Sequence, residues 1–189
     1  MPQRFTPPDR ADYTERQREF YDRYASGPRA NPDAAFHLID AEGRLIGPPA
    51  IWVLSPETGF ALAAIGYQMR WGIGFSERAR EAVILAVGYT LESPFELYAH
   101  ERAGRAAGWT DDDFAEIAAR RTPATADAEV EAVLAATWEI LDTGTLSDAA
   151  YAATLEALGL EHLFHLVALV SYYRMVATQL AVFGVLPPG

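Results

Sequence analysis

Two helical stretches joined by a very short connection limit this chain more than any other feature. The run AVILAV (82–87) is apolar almost all round, so the helix that begins at Ser76 and reaches about residue 90 is predicted to be buried. Thr90-Leu91-Glu92 then leads directly to Ser93-Pro94-x-Glu96, the start of a second helix that Gly108 ends in a C′ role. So short a link forces the two into an antiparallel hairpin. Glu81 lies about ten residues before the turn and His100 about nine after it, which puts both ~14 Å from the turn at ~1.5 Å per residue. A carboxylate beside the most apolar run in the chain is costly without a partner. The hairpin therefore predicts that Glu81 is held, and that His100 is at the right height to hold it.

The rest of the chain reads as further helices. Residues 1–12 are rich in Pro and Arg and expected to be extended, and Thr14 with Gln17 gives a capping-box signal for a helix through about Tyr24. Residues 26–54 look irregular, with a turn at DAEG compatible with a short hairpin. Ser55-Pro56 reads as an N-cap followed by an N1 proline, opening a helix with Phe60, Ala63, Ala64, Tyr67 and Trp71 at helical spacing. Thr110-x-x-Asp113 starts a short helix to about Arg121, and helices are expected over roughly 126–142, 148–158 and 160–183, punctuated by Gly144, Gly159 and Gly184. No strand pattern or solenoid repeat is visible. The expectation is an all-α helical bundle of about seven or eight helices, a single domain over residues 1–189.

Composition removes several classes of function. The chain has no cysteine, which excludes disulfides, zinc–thiolate sites, iron–sulfur clusters and thiol nucleophiles. Its formal net charge of −11, with no run of Lys or Arg, argues against nucleic acid and anionic membrane surfaces as partners. The segment 163–183 is apolar enough to be compared with a membrane span, but it carries His165, Arg174 and Gln179 and reads better as a buried core helix. MPQRFTPPDR has no apolar signal region, so a cytoplasmic protein is expected.

Ser93, Glu96 and His100 share one side of the second helix. Two readings compete. Ser93 at the N-cap with Glu96 at N3 is the pattern of a capping box, a structural device contributing on the order of 1 kcal/mol. Alternatively, Glu81, Glu96 and His100 form a buried cluster that satisfies its own charges and keeps one proton mobile near neutral pH.

The spacing Glu81-x11-Ser93-x2-Glu96-x3-His100 resembles the active-site pattern Glu-x11-Cys-x2-Cys-x3-His of the alkylhydroperoxidase D-like superfamily, with Ser93 and Glu96 at the two cysteine positions. The stretch Glu96-Leu97-x-x-His100-x-Arg102-Ala103, followed by Gly108-x-Thr110-Asp111, resembles the carboxymuconolactone decarboxylase branch of that superfamily. The likeness is specific over about residues 76–120, and weaker over GRLIGP…SPETG and the C-terminal helix. It implies an all-α fold, trimers or hexamers, and a cavity bordered by the helix that carries Tyr67 and Trp71. The peroxidase branch needs thiols, so without cysteine no thiol peroxidase activity is expected. The decarboxylase branch generally lacks a glutamate at the position of Glu81, so this chain mixes the two patterns.

The resulting expectation is a cofactor-free lyase or isomerase resembling carboxymuconolactone decarboxylase, acting on a small carboxylated lactone or keto acid. His100 is the expected general acid/base and Glu96 the group that orients and tunes it. Glu81 binds the other ring nitrogen or carries a second proton. Ser93, Tyr67, Arg80 and Trp71 are the expected substrate-binding residues, with Ser93 offering a hydroxyl at a helix N-terminus. Arg80 and Arg102 are possible anion holders, although an ion-pair role suits each as well. Of Tyr172 and Tyr173, one fits the core and the other could place its hydroxyl in the pocket. His162 and His165, three apart on a helix, have no matching carboxylate motif, so no metal is expected. The rival readings are a non-catalytic binding or assembly scaffold of the same fold and a cyclase or isomerase of specialised metabolism.

Overall fold

The computed structural model describes residues 4–26 and 36–188; residues 1–3 of the expected arm and 27–35 of the irregular stretch lie outside it. Among the described residues the chain forms eight α-helices and no β-strand. After a 3-10 turn at Arg10–Asp12 come α1 (Glu15–Ala25), α2 (Pro48–Trp52), α3 (Pro56–Trp71) and α4 (Glu77–Thr90). They are followed by α5 (Pro94–Ala106), α6 (Asp111–Ala118), α7 (Ala128–Thr143) and α8 (Asp148–Phe183). The fold is the all-α bundle that the helical periodicity predicts.

Local signals set most of these boundaries. Thr14 with Gln17 and Thr110 with Asp113 both close full capping boxes. Gly144 and Gly184 end α7 and α8 in the left-handed conformation that a Cβ disfavours. Gly159, at φ 78° and ψ 167°, interrupts α8, so residues 148–158 and 160–183 are two helical pieces. The DAEG turn carries a single antiparallel bridge between Ile39 and Leu45. The sequence reading missed α2, whose PPAIW has two prolines and only five residues. Its N-cap Gly47 sits at φ 65°, and a Cβ there would fall 2.2 Å from the Phe95 ring.

The α4–α5 hairpin lies at the centre. Every residue from Ala82 to Val87 is buried, with α5, α6, α7 and α8 packed around α4. By length and composition α8 could cross a membrane, yet it is a helix of the bundle, burying Leu166, Leu169, Val170, Tyr173 and Val176 against α4 and α7.

The face that α3 turns inward differs from the one expected. Gly59, Ala63, Gly66 and Met69 are its buried positions, and the two glycines let Phe20 and Trp52 on one side and Tyr172 of α8 on the other come close. A Cβ on Gly66 would meet the Tyr172 hydroxyl at 2.2 Å, and that hydroxyl donates to the Leu62 carbonyl at 3.1 Å. Tyr67 and Trp71 lie on the opposite face, each 54% exposed, with ring centres 4.8 Å apart. They do not border the cavity described below.

Candidate active site

The hairpin brings Glu81, Glu96 and His100 together below the surface; all three are buried. The Nδ1 of His100 is 2.7 Å from Glu81 Oε2, and its Nε2 is 3.6 Å from Glu96 Oε2. A carboxylate can only accept, so Glu81 fixes the proton of the neutral ring on Nδ1 and leaves Nε2 as the free base. The other Glu81 oxygen accepts from Arg80 Nε at 3.2 Å, and Arg80 also donates to the Arg70 carbonyl at 2.7 Å. Arg80 thus ties the end of α3 to α4. It positions Glu81 and does not line the cavity.

The two carboxyls are pushed in opposite directions. Burial raises Glu81, but His100, hydrogen-bonded to it, together with Arg80 and Arg70, more than offsets this and holds it below the ordinary 4.5. Glu96 has no such bonds. Burial dominates there, with Glu81 adding to it against the pull of His100 and Arg70, and its carboxyl is held above 4.5. Two acids of opposite tendency on either side of one imidazole form an arrangement suited to proton transfer.

His100 and Glu96 share a small cavity, about 20 Å³, with Arg70, Trp52, Tyr172 and Tyr173. That volume suits about one water molecule. The Tyr173 ring meets His100 edge-on at 5.2 Å, and Phe36 lies 5.8 Å from the imidazole on another side. Burial, with Glu96 and Glu81 adding to it against the pull of Arg70, raises the Tyr173 hydroxyl above its ordinary value. Both tyrosines therefore border the site, Tyr172 through its ring and Tyr173 beside the polar cluster.

The capping box at the start of α5 is absent. Ser93 stands at the N-cap, but its side chain accepts no cap hydrogen bond, and both Ser93 Oγ and Glu96 Oε2 are buried without a hydrogen-bond partner. Glu96 lies instead in the cavity wall with His100, one helical turn on, while Ser93 does not line the cavity. A buried hydroxyl left unbonded costs about 1–3 kcal/mol, so Ser93→Ala is expected to be neutral or stabilising. Thermal unfolding checks this; a loss near 1 kcal/mol, as removal of a cap gives, would reinstate the box.

The remaining candidates have ordinary partners. Arg102 donates to the Tyr98 carbonyl at 2.7 Å and stacks over the Tyr98 ring, away from the cavity. His165 Nδ1 lies 3.1 Å from the Ile73 carbonyl, and His162 packs on Phe75. No group of three metal-ligating side chains occurs among the described residues. The sequence reading overlooked Arg70. Its signal was the helical stripe Gly59, Ala63, Gly66, which continues one turn later at residue 70.

Fold and site together define an all-α protein whose central hairpin holds a carboxyl–imidazole–carboxyl cluster and no thiol. Residues 56–139, from α3 into α7, match the model of the carboxymuconolactone decarboxylase family. The match includes Glu81, Ser93, Glu96 and His100, and supports a carboxymuconolactone decarboxylase-like or related function at the level of the family. None of the curated proteins compared with the chain matches it.

Proposed function

We propose that the protein is a cofactor-free lyase or isomerase that moves a proton to or from carbon in a small carboxylated lactone or keto acid. The observation that carries this reading is the cluster itself: ionised Glu81 behind His100, and a buried carboxyl on Glu96 in front. Glu81 orients the imidazole and favours the imidazolium that forms when Nε2 takes a proton. Glu96, held toward its neutral form, is the group able to return a proton at a neighbouring atom. Glu96 thus takes the proton-carrier role in place of the tuning role expected of it, while Glu81 holds a ring nitrogen, one of the two roles expected for it. The proton removed from carbon leaves an enolate, and protonation elsewhere on that system gives the isomer. Where carbon dioxide departs instead, its bonding pair forms the enolate and the same acid quenches it.

A scaffold without chemistry remains the rival, favoured by the size of the cavity: about 20 Å³ is too little for a ring. On the enzyme reading, a ring enters only when lining side chains such as half-buried Phe36 turn aside. Incubation with a panel of lactone carboxylates, following carbon dioxide release and ring absorbance, decides between them. Turnover that follows protein concentration is expected; its absence across the panel favours the scaffold.

The reading includes a homo-oligomer. Tyr67 and Trp71 on α3, with Leu160, Phe164 and Val167 on α8, are large apolar side chains left in solvent, Phe164 at 68% exposure. Light scattering is expected to give a multiple of 20.7 kDa, three or six copies, and the monomer mass at micromolar concentration would contradict it.

A further inference from the structure

Arg70 is the penultimate residue of α3 and lines the cavity beside Glu96, His100 and Tyr173. Its Nε donates to the Tyr173 hydroxyl at 3.2 Å, and its guanidinium carbon lies 5.9 Å from the Phe36 ring centre. Beyond these contacts it forms no ion pair, and its two terminal nitrogens make no hydrogen bond, among the described residues. Guanidiniums in such half-buried positions normally face a carboxylate.

The nearby acids are already committed. Glu81 is taken by His100 Nδ1 and Arg80 Nε. Glu96 is drawn toward its neutral form by burial. Arg80 and Glu81 pair with each other, so the guanidinium beside the cavity that has no carboxylate partner among the described residues is that of Arg70. The mounting is firm as well: the Arg70 carbonyl accepts from Arg80, and Tyr172 is seated over Gly66 one turn earlier.

We propose that Arg70 is the specificity-determining residue of this cavity, holding a carboxylate of the ligand with its terminal nitrogens and so presenting the adjoining carbon to His100 and Glu96. The planar fork of a guanidinium matches a carboxylate in two parallel hydrogen bonds, and an organic carboxylate, larger than the one water the closed cavity suits, enters when lining side chains such as half-buried Phe36 turn aside. The proposal rests on the lyase reading for what happens after binding, but not for binding itself. It places the anion contact on a residue other than Arg80 and Arg102, the two arginines that sequence spacing had singled out.

The test uses the full chain and two probe pairs, acetate against acetamide and 2-furoate against 2-furamide, at constant ionic strength in chloride. Binding is read from the rise in melting temperature and from the NMR signal of the Arg70 Nε–H. Both carboxylates should bind saturably and both amides at least ten-fold more weakly. Arg70→Gln should weaken carboxylate binding ten-fold or more, Arg70→Lys should keep part of it, and Arg102→Gln should leave it unchanged. Equal binding of acid and amide, no carboxylate binding by the wild type, or unaltered binding by Arg70→Gln would each overturn the assignment. If Arg70→Gln does not fold, the acid–amide comparison and Arg70→Lys still decide. No turnover enters these readouts. Carboxylates held through Arg70 without any substrate being converted would leave the anion site standing and remove the lyase. Turnover with the same KM for acid and amide substrates would remove the anion site alone.

Discussion

His100→Ala is expected to abolish nearly all turnover of whichever lactone carboxylate the protein accepts, a loss of roughly 10²–10⁴-fold for one acid/base residue. The loss should appear in kcat, because His100 Nε2 contributes in the transition state and the ligand's carboxylate lies on Arg70. The variant should still fold and keep its oligomer mass, but with a lowered melting temperature, because the buried imidazole packs on Tyr173 and Phe36 and its one strong bond is to Glu81. Glu81 keeps Arg80 when His100 is removed, so the folded state is weakened but not emptied of partners for that carboxylate. Glu96→Gln provides the companion measurement. It keeps the shape of the cavity wall and removes the acid, so kcat should fall and the limb of the pH–rate profile that reports this acid should vanish. Should a substrate be found whose turnover survives His100→Ala, the proton-transfer mechanism is wrong.

Much of this site could be read from order and spacing alone, and the parts that could not share a physical cause. The hairpin followed from an apolar run and a three-residue link, and these determine that Glu81 and His100 meet. Thr14–Gln17 and Thr110–Asp113 close capping boxes with one oxygen each, while Gln17 also donates to the Val53 carbonyl and Asp113 also accepts from Thr125. Ser93 and Glu96 show the same pattern and make no box. There the acid lies one helical turn before a buried histidine, on the face turned to the cavity, and it joins the cavity wall. Local pattern cannot tell a cap from a site when one residue is eligible for both.

The α3 errors have a different source. Phe60, Tyr67 and Trp71 form the more apolar stripe, and the usual weighting of periodicity by hydrophobicity turns that stripe inward. The helix instead turns inward the side with two glycines and an alanine, because close approach to Tyr172 and Trp52 requires an absence of side chain. Small residues carry little hydrophobic signal, so the stripe went unnoticed, and Arg70 one turn further along it went unnoticed as well. The short helix α2 escaped for a related reason: its two prolines read as loop, although proline suits the first turn, where no backbone donor is needed.

Glu81→Ala is expected to have the largest effect on stability of any single change in the site, a loss of about 3–5 kcal/mol at neutral pH, as removal of one partner from a buried pair gives. His100 and Arg80 would lose their shared acceptor together, and neither can turn to solvent: their side chains are only 3% and 14% exposed. Against a typical total of 5–15 kcal/mol, the variant should still fold but melt well below wild type. The dependence on pH separates this electrostatic cause from simple loss of packing. The carboxyl of Glu81 is held below its ordinary 4.5 in the folded protein, so its contribution is fully present above 4.5. That contribution is lost as pH falls through the lowered folded value, where the protonated acid no longer pairs with its neighbours. The gap between wild type and Glu81→Ala in denaturant unfolding should therefore be greatest near neutrality and shrink on acidification. Glu96 works in the other direction, since a raised carboxyl favours the folded state below 4.5 and ceases to do so as pH rises through its folded value. Comparison with Glu96→Gln thus provides an internal control of opposite sign. A Glu81→Ala deficit that stays constant from neutral to acidic pH would mean that Glu81 fills space without holding charge, and the ionised carboxylate behind His100 would have to be given up.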